Sequence, residues 1–237
     1  MKLDNTMLTK INAVVYLLKQ IEENFTPSVL ASSFNLEDMV LIDLIVKNTP
    51  SISILTLDTG RLHQETYNLI EQVNNHYAVL VNIYFPDYEE LEPFIKTYGI
   101  NSFYSSVELR KACCFIRKVS PLKRALQDKK AWITGIRNEH SSSRQDIPIS
   151  NFDNEHNLQK FNPLVEWTTT EIWNYIHHFK VPYNSLNDSG YPSIGCAPCT
   201  RAVMPGDDLR SGRWWWEDAS GKKECGIHLS SKPVEYK

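Results

Sequence analysis

No stretch of this 237-residue chain approaches the roughly 20 apolar residues a bilayer-spanning helix needs, so a helical membrane protein is excluded. Charge of one sign is not in excess. The 25 Lys and Arg against 28 Asp and Glu leave a formal charge of −3, so a nucleic-acid polymer is not the expected partner. Cysteine is scarce and odd in number, five in all. A disulfide-stapled secreted scaffold does not fit that count, and a reducing, cytoplasmic compartment is expected. The N-terminal region has no unbroken apolar centre: Ile11, Val14, Val15, Leu18 and Ile21 recur at helical spacing, interrupted by Lys19, Gln20, Glu22 and Glu23. That pattern predicts an amphipathic docking helix and not a signal peptide. Internal repeats and low-complexity tracts are missing too.

What is present alternates strand with helix. Apolar runs at 28–32, 52–57, 79–84 and 131–135 read as strands. Helical patterns at 36–46, 63–75, 88–98 and 107–118, and a helix opened by Pro121, fall between them. Such alternation predicts an α/β fold, doubly wound, with a mainly parallel sheet covered on both faces. The texture then changes. Residues 138–145 are polar and read as a loop, 164–179 hold one more helix capped by Thr168 to Thr170, and little periodicity follows Val181. The simplest organisation is one domain: an N-terminal helix (1–24), an α/β core (25–180) and an irregular extension (181–237).

The cysteines divide four plus one. Cys113-Cys114 are adjacent, Cys196-Ala197-Pro198-Cys199 is a spaced pair, and Cys225 stands alone between Lys222-Lys223-Glu224 and Gly226. Neighbouring side chains on a helix point about 100° apart, so two adjacent thiolates fit poorly on one small ion and reach different metals of a cluster more easily. Thiols without a nearby His at zinc-finger spacing suit iron–sulfur or zinc, and buried structural thiols also fit. Cys225 has a cationic setting that favours the thiolate.

Two loops follow predicted strands and would face one crevice. Ser32-Ser33-Phe34-Asn35 precedes a helix carrying Glu37 and Asp38, and Asp58-Thr59-Gly60-Arg61 follows Leu57. A helix N-terminus behind a strand suits phosphate, although the glycine-rich Walker pattern is lacking and an ordinary capped turn fits as well. Arg210 and Arg213 precede three consecutive tryptophans. The arginines are candidates for gripping an anion, the tryptophans for packing.

Taken together, these residues resemble the assimilatory adenylyl-sulfate reductases, relatives of the phosphoadenylyl-sulfate reductases. The resemblance rests on Ser33-Phe34 with Glu37-Asp38, on 57–63, on Cys113 to Lys118, on Trp132 to Gly135, on 190–200, on Gly212 to Glu217 and on Lys223 to His228, and so covers about 28–229. It implies an adenine-nucleotide alpha-hydrolase-like fold. The implied reaction reduces adenosine 5′-phosphosulfate to sulfite and AMP in sulfate assimilation, with electrons from thioredoxin or a similar dithiol. A 4Fe–4S cluster is implied on Cys113, Cys114, Cys196 and Cys199, and the nucleophile on Cys225. Substrate contacts are implied at Ser33, Leu57, Thr59, Lys118, Gly135, Arg144, Arg210, Arg213 and His228, and a homo-oligomer is expected by analogy. The loop 136–144 departs from the family pattern at Asn138 and just before Arg144. Three alternatives are a reductase of the 3′-phosphorylated or of both nucleotides, a ligase or sulfurylase on the same scaffold, and a redox sensor built around Cys225.

Overall fold

The computed structural model describes residues 4–140 and 147–217. Helix α1 (Asn5–Asn24) starts where Asp4 accepts the Met7 N–H at 2.7 Å; of the stripe the sequence marks it buries Val14, Leu18 and Ile21, with Ile11 and Val15 half-buried, and it buries Met7 as well. Strand β1 (Ser28–Ser32) then enters the centre of the sheet. Helix α2 (Leu36–Asn48) is buried along nearly its whole length, because α1 and α7 (Thr169–Phe179) pack on the faces the sheet leaves open. Its one deeply buried acid away from the first turn, Asp43, accepts hydroxyls from Tyr77 at 2.8 Å and Tyr175 at 2.7 Å and pairs with Lys47 at 2.8 Å. A buried carboxylate persists only when satisfied in this way.

The sheet has six strands in the order β3-β2-β1-β4-β6-β5. They are β1, β2 (Ser53–Leu57), β3 (Asn82–Tyr84), β4 (Ala131–Ile133), β5 (Ser150–Asp153) and β6 (Leu158–Phe161). All neighbours pair parallel except β5 with β6. One face carries α1, α2, α3 (Gln64–Tyr77) and α7; the other carries α6 (Ser120–Leu126) over Val29, Leu55, Trp132 and Leu158. The sheet is thus doubly wound, as its alternating pattern predicts. The chain builds β1-β2-β3 outward on one side and returns to add β4 and β6 on the other. The order therefore reverses between β1 and β4, and a crevice opens beyond their carboxyl ends, where such sheets bind ligands.

Three local features differ from the sequence expectation. The β5–β6 hairpin falls between the polar loop read at 138–145 and the helix read at 164–179, where no element was expected, because β5 lies at the sheet edge with three of its four residues exposed and shows no apolar alternation. Strand β3 starts at Asn82 and not at Val79, since Ala78 takes a left-handed φ of 51° and Leu80 is 79% exposed. The helix read over 88–98 is α4 (Tyr88–Tyr98), and the one read over 107–118 is α5 (Val107–Cys114) followed by a π turn, Phe115–Val119, that runs on into α6 with Pro121 in its first turn. After α7 come short 3-10 turns, Ser185–Ser189 and Ala197–Cys199, in an otherwise irregular segment.

Candidate active site

The loop between β1 and α2 is held in an unusual shape. Phe34 sits at φ 59° with its ring fully buried, a region that side-chain-bearing residues seldom occupy. The strain is tolerated because the loop's donors have partners. Ser33 gives its N–H to Asp38 Oδ2 at 2.6 Å and its hydroxyl to the same oxygen at 2.9 Å, and Phe34 N–H goes to Ser32 Oγ at 3.1 Å. Gly135, just beyond β4, closes the other side. A Cβ there would lie 2.5 Å from Asp38 Oδ1 and 2.9 Å from Glu37 Cβ, so only glycine lets β4 end against the first turn of α2. Glu37 pairs with Arg137 at 2.8 Å, and Arg137 also donates to Glu139, to the Trp167 carbonyl and to Thr169.

Burial pushes the Asp38 carboxyl up to about 7, with Ser33's donors pulling the other way. A carboxyl raised in the folded state stabilises fully only below its unfolded value, and that contribution is lost as pH rises through about 7. Asp38→Asn is therefore expected to match the parent protein near pH 4 and to exceed it at pH 8 by up to about 4 kcal/mol. Urea unfolding of both proteins at several pH values reads the difference directly.

The loop after β2 faces the cysteines. Asp58 accepts the Gly60 N–H at 2.7 Å and the Tyr67 hydroxyl at 2.8 Å, which fixes the turn at Thr59. Thr59, fully buried, lies 3.2 Å from Cys196 Sγ through its hydroxyl, and its carbonyl accepts Arg117 Nη1 at 2.6 Å. The π turn brings Arg117 inward, since an extra residue per turn rotates the side chains that follow it. Lys118, one residue on, borders both the nucleotide-sized cleft and a small pocket of about 20 Å³. Cys113, Cys114, Cys196 and Cys199 line that small pocket together with Arg61 and Arg110. Burial raises the Cys113 thiol, opposed by Arg117, and pushes Cys199 up to about 12, opposed by Lys118 and Arg213. Among the described residues no three His, Cys, Asp or Glu side chains converge on a single ion position.

The segment 190–217 joins the two regions. Asn35, whose side chain does not cap α2, instead accepts the Ile194 N–H at 2.9 Å and donates to the Ile194 carbonyl at 3.2 Å. Arg213 lies against Gly195, where any side chain would collide with the guanidinium, and stacks on Trp214 at 4.7 Å. Arg110 covers the same ring at 4.6 Å and pairs with Glu217 at 2.5 Å. Trp214 N–H reaches the Cys199 carbonyl at 3.1 Å, and Thr200 bridges Arg213. The position of Arg213 is thus tied to the backbone of the cysteine loop. Loss of the two-bond Asn35 clamp is expected to free that segment. Asn35→Ala should raise KM for nucleotide about tenfold, with a stability loss of only about 1–2 kcal/mol. Steady-state kinetics and urea unfolding separate the two effects.

The cleft itself holds about 440 Å³, enough for a nucleotide. Of the residues singled out from the sequence, Ser33, Leu57, Lys118, Gly135, Arg210 and Arg213 line it. Thr59 does not, and points to Cys196. Arg144, Cys225 and His228 lie outside the described residues. The clamp by Asn35, the stack on Arg110 and the π turn carried no sequence signal, because each depends on a partner remote in the chain. Buried Arg117 Nε, Arg213 Nε and Trp214 Nε1 have no hydrogen-bond partner among the described residues.

A family model for the phosphoadenosine phosphosulfate reductase domain matches residues 27–202, which takes in both loops and all four pocket cysteines. The chain belongs to this reductase family. It is 46% identical to the adenosine 5′-phosphosulfate reductase of Allochromatium vinosum, over 94% of this chain and 87% of that protein. The corresponding figures for the adenosine 5′-phosphosulfate reductase of Burkholderia cepacia are 44%, 95% and 90%. Among solved structures, a phosphoadenylyl-sulfate reductase from Candida auris in complex with phosphate matches at TM-score 0.69 and 27% identity, over 86% of this chain and 99% of that one. An NH3-dependent NAD synthetase from Campylobacter jejuni matches at TM-score 0.55 and 13% identity over 80% of each chain, a likeness of fold alone. The sheet of this reductase therefore has the fold of that synthetase's sheet.

Proposed function

We propose that this protein reduces adenosine 5′-phosphosulfate to sulfite and AMP in sulfate assimilation, drawing electrons from thioredoxin or a similar dithiol. One observation carries the reading: Lys118 borders both the nucleotide-sized cleft and the four-cysteine pocket, so an anion bound in the cleft meets cations that the cysteine loops position. The names of relatives 41–46% identical to this chain support the choice of substrate.

In this mechanism Lys118, Arg210 and Arg213 hold the phosphosulfate oxygens, with Arg144 and His228 as further contacts by family resemblance. Fixed cations where charge develops stabilise the transition state without reorganisation. The Cys225 thiolate, favoured by Lys222 and Lys223, attacks the sulfur. An S–S bond forms, the bond from sulfur to the bridging phosphate oxygen breaks, and AMP leaves with the electron pair. A thiolate of the reductant then attacks Cys225 Sγ, sulfite departs, and the reductant's second thiol resolves the mixed disulfide and returns Cys225 as a thiol. A reducing, cytoplasmic setting belongs to this reading, because Cys225 must start as a free thiol. Assembly into a homo-oligomer is part of it by family analogy.

Cys113, Cys114, Cys196 and Cys199 would hold a 4Fe–4S cluster. The donor set fits: four thiols surround one pocket among Arg61, Arg110, Arg117 and Lys118. When bound, such a cluster supplies a fixed local charge that tunes the field at the cleft, and the thiol chemistry supplies the electron pair. The test is sulfite release from adenosine 5′-phosphosulfate by anaerobically purified protein with a dithiol reductant. Release of one sulfite per AMP is expected, and protein that contains iron yet releases none sinks the reading.

A further inference from the structure

In α/β proteins the loop that leaves a strand and opens a helix presents N–H groups that hold phosphate. Here that loop already holds an anion of the protein's own. Both Ser33 donors go to Asp38 Oδ2, and the Phe34 N–H goes to Ser32. Asp38 is 5% exposed, yet it lines the cleft beside Ser33 and Gly135. The cation on this side, Arg137, is also buried, and its donors are committed to Glu37, Glu139, the Trp167 carbonyl and Thr169. The other cations that line the cleft among the described residues are Lys118, beside the cysteines, and Arg210 and Arg213 on the 190–217 segment.

We infer that Asp38, fixed by Ser33, is a specificity residue: it makes the cleft accept a nucleotide with a free 3′-hydroxyl and reject the 3′-phosphorylated form. The inference rests on the cleft being the site for adenosine 5′-phosphosulfate. With the phosphosulfate held by Lys118, Arg210 and Arg213, the nucleoside lies against the loops that follow β1 and β4, where Ser33, Asp38 and Gly135 meet. A carboxylate there can accept a ribose hydroxyl. A phosphate in the same place would face a like charge across a desolvated gap, with the loop donors turned away from it. The opposing acid also cannot swing aside, because Gly135 packs directly against it.

The experiment has two arms, both at pH 8. Calorimetry on the parent protein compares AMP with adenosine 3′,5′-bisphosphate, and AMP is expected to bind about tenfold tighter or better. Equal affinity overturns the inference without any variant. Steady-state kinetics then compare the two phosphosulfates on the parent and on Asp38→Asn, which keeps an acceptor for Ser33 but removes the charge. The ratio of kcat/KM values is expected to move about tenfold toward the 3′-phosphorylated nucleotide. Equal losses on both substrates, with the ratio unchanged, would make Asp38 merely structural and overturn the inference while leaving the proposed reaction intact. A parent protein that reduces neither nucleotide overturns the proposed reaction itself. Should Asp38→Asn fail to fold, Asp38→Ser takes its place in the kinetic arm, with the same shift in the ratio expected and an unchanged ratio again overturning the inference.

Discussion

Cys225→Ser is expected to abolish sulfite release, lowering turnover by about a thousandfold or more. A serine hydroxyl stays protonated near neutral pH and is a poor nucleophile toward sulfur, whereas a thiol is the better nucleophile and Lys222 and Lys223 beside it in the chain favour the thiolate. The same substitution separates chemistry from binding. Parent protein given sulfur-labelled adenosine 5′-phosphosulfate without reductant should carry the label on Cys225, one equivalent per chain at most. The serine variant should bind nucleotide, carry no label and keep its full iron content. Label on the variant at the parent's level would remove Cys225 from the mechanism.

The second large effect concerns the pocket. Cys199→Ser is expected to lose most of the bound iron and sulfide and to lower kcat/KM about a hundredfold. Two consequences reinforce each other. The proposed cluster would lose one of four ligands, and the loop that carries Cys199 would lose its anchor. That loop accepts the Trp214 N–H and bridges through Thr200 to Arg213, which lines the cleft. Nucleotide affinity should therefore fall along with iron content, although Cys199 does not line the cleft. Iron and sulfide assay, the visible absorbance of the cluster and calorimetry with AMP measure the three quantities independently. A variant that retains stoichiometric iron and sulfide and parental turnover would show that the four thiols are structural residues of the core.

The two substitutions test different halves of one design. Cys225 lies in a stretch that carries chemistry in this reading, while the four other cysteines hold still what the chemistry needs held. The physical link between them is the row of cations from Arg117 and Lys118 to Arg213. Each borders or opposes a buried thiol on one side, and Lys118 and Arg213 reach the cleft on the other.

Particular elements show how far the chain could be read unaided. The stripe of α1, the apolar runs of β1, β2 and β4, and the proline that opens α6 are local signals, each set by residues within a turn or two of one another. They suffice for a doubly wound sheet. Strand β5 was not legible, since an exposed edge strand need not alternate apolar with polar residues. The π turn was not legible either, because Phe115 to Val119 suit an ordinary helix and the contact of Arg117 with the Thr59 carbonyl joins residues remote in the chain. At the site, Ser33, Lys118, Gly135, Arg210 and Arg213 could be singled out and do line one cleft. Thr59 could be singled out too, but its hydroxyl turns to Cys196.

By itself the sequence determined the alternation of strand and helix and the four-plus-one division of the cysteines, because composition, period and spacing are properties of neighbours along the chain; the kinship with a reductase family rests on motifs that resemble those of its members. Only the tertiary structure decided that Asp38 occupies the loop a phosphate would otherwise take, that Asn35 ties the 190–217 segment to β1, and that Gly195 leaves room for Arg213. Those contacts join residues as much as about 160 positions apart. Which buried donor meets which acceptor is settled by where the folded sheet brings the loops together, and no local pattern encodes it.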